Sequence, residues 1–271
     1  MKKIVILGAG ESGTGSAVLA KKQGFEVFVS DMGLIKENYK EVLNSHRISW
    51  EENTHSEGVI LSADEVIKSP GIPEKAPIII KLHEKGIPVI SEIEFAGRYA
   101  TGTKICITGS NGKTTVTNLI YHILKKAGKN AAMTGNVGNS FAMAVAESSY
   151  DYYVIELSSF QLDGMYDFKA DIAILMNITP DHLDRYGYKL QNYVDSKFRI
   201  TQNQTKSDFL IFWEGDPIIK AELSKKKFGA TLLPFSDEIS EGMIAYLEKD
   251  ELIIDYPNKT NLITIHDLAL K

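Results

Sequence analysis

Twice in this chain a short apolar run ends in a glycine-rich loop that opens directly into a helical pattern. The first is Lys3 to Leu7 followed by Gly8-Ala9-Gly10-Glu11-Ser12-Gly13; the second is Ile105-Cys106-Ile107 followed by Thr108 to Thr115. A strand that feeds a helix through glycines begins a βαβ unit, which requires parallel strands joined by a crossover helix. After the first loop, Ala17 to Lys22 reads as helix, Gly24 stops it, and Glu26 to Ser30 reads as the next strand. An α/β fold with two parallel-sheet units follows: a Rossmann-like N-terminal domain, then a second α/β domain built on a P-loop.

The remaining pattern fits this frame. Val59-Ile60-Leu61 and Glu65-Val66-Ile67 read as short strands, and Ser69-Pro70-Gly71-Ile72-Pro73 as a turn that no helix can cross. Ala76 to Lys85 suits a helix ended by Gly86, and Pro88 to Ile90 a closing strand. The pattern lapses into Gly/Thr-rich sequence around Gly97 to Thr103, so the expected domains are 1–97 and 98–271. In the second domain, Val116, Leu119, Ile120, Ile123, Leu124 and Ala127 are spaced as one buried helical face, with Gly128 as the stop. Tyr152 to Leu157, Asp171 to Met176 and Leu210 to Phe212 read as strands. Met243 to Leu247 and Glu251 to Tyr256 read as a hairpin around Glu248-Lys249-Asp250. His266 to Lys271 read as the start of another element.

Composition narrows the function classes. The 271 residues carry a net charge of −5, so there is no basic excess with which to neutralise nucleic acid or an anionic membrane. A small local phosphate site is still allowed. The apolar run Ile4 to Leu7 is too short for a signal sequence or a membrane span. Cys106 is the single cysteine, which precludes an intramolecular disulfide and fits a reducing compartment. The expectation is a monomeric cytoplasmic protein that engages small molecules rather than nucleic acid or membrane.

Gly8-x-Gly10-x-x-Gly13, between strand and helix, permits a tight turn and lets helix N-terminal amides approach a pyrophosphate. Asp31 stands 18 residues past Gly13, at a strand end where an acid can bond a ribose hydroxyl. The same glycines would also serve close helix–strand packing, and the motif does not specify the base.

In Thr108-Gly109-Ser110-Asn111-Gly112-Lys113-Thr114-Thr115, successive amides can cradle phosphate, Lys113 can neutralise β/γ oxygens and the Thr114 hydroxyl can ligate Mg²⁺. The common phosphate loop has a glycine where Ile107 stands. Glu156, late in an apolar strand, must face a cation or lie at the strand's open end, where ligands of parallel sheets gather. Ser158-Ser159-Phe160-Gln161 follows it as a polar loop. His182, among Asp181, Asp184 and Arg185, taken alone reads as a surface histidine, but its position after another strand of the same sheet favours a residue placed to ligate Mg²⁺ or touch a transferred phosphoryl group. By spacing alone, Lys197 is a solvated lysine on a helix face. No Cys/His cluster with zinc spacing and no Gly-x-Ser-x-Gly elbow occur.

Taken together these segments resemble the Mur ligase family. In the first domain the resemblance rests on the Gly8–Gly13 loop, Ser69-Pro70-Gly71-Ile72 and Ser91-Glu92-Ile93-Glu94. In the second it rests on Thr108–Thr115, Gly135-Asn136-Val137-Gly138, Glu156 to Leu162, Asp181 to Tyr186, and Tyr193 with Ser196 to Ile200. Glu-Leu-Ser-Ser-Phe-Gln-Leu favours the D-glutamate-adding branch of the family. The resemblance implies that the first domain binds UDP rather than NAD, through Gly10, Glu11, Ser12, Asp31, Ser69 and Gly71. Met32 stands where the family commonly has a hydroxyl residue. It implies ATP on Gly109, Ser110, Asn111, Gly112, Lys113, Thr114 and Thr115, and one Mg²⁺ on Thr114 and Glu156. A second Mg²⁺ would fall to His182 and Lys197, the lysine as a CO₂-derived carbamate. Asn136, Ser158, Ser159, Gln161 and His182 would contact the muramoyl-alanine portion of UDP-N-acetylmuramoyl-L-alanine, with Lys113, His182 and Lys197 as the catalytic set.

The implied reaction is ATP-driven amide formation with D-glutamate in peptidoglycan precursor synthesis. Family members carry a third domain, preceded by a Gly-x-His-Asn-type segment, so the expectation is of a truncated chain that binds substrate without ligating it. Two other classes compete: an NAD-dependent oxidoreductase with an unusual phosphate loop, and a nucleotide-binding module without catalysis.

Overall fold

The structure is a computed structural model that describes residues 1–239 and 241–268. The first βαβ run is β1 (Lys3–Leu7), α1 (Glu11–Lys22), β2 (Glu26–Ser30), α2 (Glu37–Ser45), β3 (Ser49–Glu51), α3 (Glu57–Ile60), β4 (Glu65–Lys68), α4 (Pro77–Glu84), β5 (Val89–Ile90) and α5 (Glu92–Gly97). Its strands form one parallel sheet in the order β3-β2-β1-β4-β5. Ile4, Val5, Ile6 and Leu7 of the central strand are fully buried, because helices cover both faces. Order reverses at β1, so the crevice for a ligand opens above the Gly8–Gly13 loop.

The second run comprises β6 (Thr103–Thr108), α6 (Lys113–Lys126), β7 (Ala131–Gly135), α7 (Phe141–Glu147), β8 (Tyr152–Glu156), α8 (Ser159–Asp163), β9 (Ile172–Leu175) and α9 (Leu190–Phe198). It continues with β10 (Phe209–Trp213), α10 (Pro217–Lys225), β11 (Thr231–Phe235), β12 (Ala245–Glu248), β13 (Glu251–Asp255) and β14 (Lys259–Thr264). The sheet order is β14-β13-β12-β11-β10-β9-β6-β8-β7, parallel from β7 to β12 and antiparallel beyond. β6 therefore lies between β8 and β9 at a second switch point, and the carboxyl ends of all three strands converge above the Thr108–Thr115 loop.

Several expectations need correction. Val59 to Leu61 is not a strand: Glu57–Ile60 is one turn of helix that buries Ile60 against β1, since a three-residue apolar run fits either structure. The face expected of α6 is only half right. Val116, Ile120 and Leu124 pack on the sheet, but Leu119 and Ile123 are 49% and 56% exposed, Ala127 is exposed too, and Thr117 is the buried residue. The apolar stripe is wider than the contact with the sheet. The hairpin forms with Glu248 opposite Glu251. Of the element expected from His266 onward, Ile265–Asp267 is a 3₁₀ turn and Ala269–Lys271 lie outside the described residues.

Candidate active site

In the first glycine loop, packing and ligand access fall to different glycines. A Cβ on Gly13 would sit 1.8 Å from the Gly8 carbonyl oxygen, so this position is glycine because α1 crosses β1 at backbone distance. A Cβ on Gly10 would meet nothing within 4 Å, and Gly10 instead lines a cavity of about 670 Å³. Gly8, Asp31, Met32, His55, Ser69 and Gly71 line it too. Asp31 fastens the loop, its Oδ2 accepting from Ala9 N–H at 2.7 Å and its Oδ1 from Gly33 N–H at 2.8 Å. Glu11 and Ser12 start α1 outside the lining of this cavity; Ser12 packs toward Glu92 of α5.

The second loop is held rigidly by the neighbouring strand. Gly112 has φ +79°, which a side chain opposes, and a Cβ there would meet Met176 Cε at 2.8 Å. Asn177, just past β9, accepts from Ser110 N–H through its carbonyl and from Asn111 N–H through Oδ1, both at 2.9 Å. The Ser110 hydroxyl donates to the Thr179 carbonyl at 2.9 Å and lies 3.1 Å from Tyr193 Oη. Lys113 Nζ, at the start of α6, donates to the Gly109 and Ser110 carbonyls at 2.9 Å. Its ammonium thus lies against the loop whose amides would face phosphate.

Glu156, at the carboxyl end of β8, is buried and paired on both oxygens. Thr114 Oγ1 donates to Oε2 and Asn136 Nδ2 donates to Oε1, each at 2.8 Å. A hydroxyl beside an ionisable carboxylate is a hard-oxygen donor set of the kind Mg²⁺ takes when phosphate and water complete the shell. No group of three His, Cys, Asp or Glu side chains that could hold a metal ion converges among the described residues, here or elsewhere.

Lys197 overturns the expectation of a solvated residue. It is 1% exposed on α9, with Nζ donating to the Gly109 carbonyl at 3.0 Å and to Thr108 Oγ1 at 3.2 Å. Burial, and then the charge of Lys113, push this amine down to about 7, against the pull of Asp181, Asp163 and Glu156. His182 is held at φ +49°, its Nε2 3.5 Å from Asp181 Oδ2 and its ring 5.2 Å from that of Phe160. Arg185 stacks over the same phenyl ring at 4.4 Å and donates to the Pro70 carbonyl at 3.4 Å.

These groups share one cleft. Lys113, Asn136, Ser158, Ser159, His182 and Lys197 line a cavity of about 220 Å³, together with Pro70 and Gly71 of the first sheet's loop. Gly71 lines both cavities, so the crevice of the first sheet and that of the second lie on either side of the same turn. Gln161 is the exception: its Oε1 accepts from Ser158 N–H and Oγ–H, and it serves as the N-capping partner of α8. Cys106 is buried in β6 and its thiol is pushed up by burial, so it packs rather than reacts.

Comparison with known proteins agrees with this layout. The Mur ligase middle domain family matches residues 107–266, and the MurD N-terminal domain family matches residues 3–78. The chain belongs to the Mur ligase family. It is 63% identical over 262 residues to the UDP-N-acetylmuramoylalanine–D-glutamate ligase of Bacteroides fragilis, covering 97% of this chain and 59% of that protein. It is 55% identical to the ligase of the same name from Christiangramia forsetii, covering 100% of this chain and 61% of that protein. The chain thus spans about three fifths of the length of these curated relatives. Among solved structures it shares its fold with the UDP-N-acetylmuramate:L-alanyl-gamma-D-glutamyl-meso-diaminopimelate ligase of Neisseria meningitides (TM-score 0.65, 19% identity, 94% of this chain and 85% of that one).

Within this Mur ligase chain, sequence reasoning missed Asn177 and His55. Asn177 carried a positional signal, a polar residue at the end of the strand beside β6. His55 carried none, since Gly8, Asp31 and Ser69, which line the cavity with it, come from distant segments.

Proposed function

We propose that this chain forms the UDP-substrate and ATP sites of an ATP-dependent ligase that adds D-glutamate to UDP-N-acetylmuramoyl-L-alanine. The observation that carries the reading is that Gly71 lines both the first-sheet cavity and the cavity at the phosphate loop. A nucleotide seated beside Asp31 and Ser69 would direct its sugar-linked tail past Gly71 toward Ser158, Ser159 and Asn136, and so to Lys113. Neither an oxidoreductase nor a bare nucleotide module requires a first-sheet pocket that shares a turn with a phosphate-loop pocket. The division into 1–97 and 98–271 belongs to the same proposal: α5 ends at Gly97 and β6 begins at Thr103.

On this reading the amides of Gly109 to Thr115 and the Lys113 ammonium bind the β- and γ-phosphates of ATP and fix them at the carboxyl end of β6. The muramoyl-alanine carboxylate is held in line with the γ-phosphorus. Its oxygen attacks, ADP leaves, and an acyl phosphate forms; the amine of D-glutamate then displaces phosphate and makes the amide. Lys113 stabilises charge that accumulates on the transferring oxygens, which is most of what a protein contributes to phosphoryl transfer. Thr114 and Glu156 would hold Mg²⁺, which when bound neutralises phosphate charge. His182 and Lys197 are suited to a second ion, because an amine pushed down to about 7 is in large part neutral and able to take up CO₂, releasing a proton as the anionic carbamate forms. Unmodified and protonated, Lys197 would instead set a second positive charge beside Lys113.

Lys113→Ala tests the assignment. Calorimetry should show ATP affinity lost and UDP-N-acetylmuramoyl-L-alanine affinity retained within about threefold, as expected for separate subsites. Equal loss of both ligands, or of neither, would contradict it.

A further inference from the structure

His55 lines the first-sheet cavity beside Asp31 and Met32, with no role so far in the site. Its protonation pattern is fixed by neighbours on β2 and β3. Ser30 Oγ lies 2.7 Å from Glu51 Oε1 and 2.6 Å from His55 Nδ1. Ser56 N–H and Oγ–H also donate to the Glu51 carboxyl, and these bonds hold it below the usual range despite burial, so it is an ionised, acceptor-only group. The one hydroxyl proton of Ser30 must therefore point at Glu51, since the alternative sets two lone pairs face to face at 2.7 Å. Ser30 oxygen then accepts from His55, which places the imidazole proton on Nδ1. Burial holds His55 below its ordinary value, against the opposing influence of Glu51 and Asp31, which favours the neutral ring. What remains is Nε2, a bare lone pair that makes no hydrogen bond among the described residues.

We propose that His55 is a specificity-determining residue of the nucleotide pocket, whose Nε2 accepts a hydrogen bond from the N3–H of a uracil base. The chemistry discriminates between bases. Uracil presents a donor at N3, whereas cytosine presents a lone pair there, which would oppose that of Nε2 and leave both unsatisfied. Sites built to bond a substrate N–H reject analogues lacking it far more strongly than apolar sites reject a change of shape. Met32 lines this cavity where the resemblance leads one to expect a hydroxyl, and His55 would supply a polar contact from the loop between β3 and α3. The inference rests on the reading of this cavity as a uridine-nucleotide site.

The test is calorimetry with UDP, CDP and 2′-deoxy-UDP on the full chain and on His55→Phe and His55→Gln. The unsubstituted chain should bind UDP about tenfold or more tighter than CDP. His55→Phe should bring the two within about twofold while leaving the ratio of UDP to 2′-deoxy-UDP unchanged, and His55→Gln, which can offer an amide oxygen, should restore part of the preference. Unchanged ATP affinity in both variants verifies that they are folded. A preference for UDP that survives His55→Phe overturns the proposal and leaves the uridine site intact, as does a loss confined to the 2′-hydroxyl ratio. Failure of the unsubstituted chain to bind UDP overturns both.

Discussion

Glu92 offers a prediction in which sign and size both follow from the structure. It sits on α5, 2% exposed, at the seam between the first sheet's helices and α7. Oε1 accepts from Ala142 N–H at 2.8 Å, and Oε2 is buried with no hydrogen-bond partner. Burial raises this carboxyl from 4.5 to about 7, more than the Ala142 amide and the nearby Ser140 and Ser12 hydroxyls lower it. The folded state therefore binds more protons than the unfolded state between those two values. Stability from this group is complete below pH 4.5 and is lost as pH rises through about 7. The full penalty above pH 7 is about 3 kcal/mol at 1.36 kcal/mol per pH unit. Glu92→Gln keeps the shape and the acceptor for Ala142 but cannot ionise. It should be more stable than the parent by about 3 kcal/mol at pH 8, roughly 5 °C in Tm, and nearly equal to it at pH 4.5. Thermal unfolding of the two proteins across that range measures the difference. A gap that is the same at pH 5 and pH 8, or a glutamine variant less stable at pH 8, would refute the reasoning.

Other consequences can be checked on the same material. Glu94 is 1% exposed, and its Oε2 accepts from the backbone N–H groups of Tyr166, Asp167 and Phe168 at 2.9–3.1 Å. Glu94→Ala should cost about 3 kcal/mol in urea unfolding and expose those three amides to hydrogen exchange, whereas a cost below about 1 kcal/mol would mean water replaces the carboxylate. Gly13→Ala drives a Cβ into the Gly8 carbonyl and should destabilise by more than about 3 kcal/mol; a soluble variant with unchanged Tm would show that α1 can shift away from β1.

The sequence was most informative where backbone demands are strict. The two glycine loops, the turn at Ser69 to Pro73 and the hairpin at Glu248–Glu251 are legible because glycine, proline and strand alternation each admit few conformations. Burial was less legible. The six spaced apolar residues of α6 correctly announce a helix, yet periodicity does not say how much of its stripe the sheet covers, and Leu119 and Ile123 stay exposed. Val59 to Leu61 was too short for its β-branched residues to decide between strand and helical turn. Lys197 shows the same limit at the site. On its own helix it is an ordinary lysine, and only the packing of α9 over the phosphate loop buries it against Gly109. Gln161 lies within the motif that carries the resemblance, but its carboxamide oxygen is committed to capping α8.

The central claim is that the two cavities lined by Gly71 take one extended uridine-linked substrate. Calorimetric titration of the chain with UDP-N-acetylmuramoyl-L-alanine, UDP and NAD measures it directly. The UDP-sugar should bind more tightly than UDP, since its tail reaches Ser158, Ser159 and Asn136, and NAD should bind most weakly. NAD binding as tightly as the UDP-sugar, or a tail that adds nothing to UDP, would contradict the account.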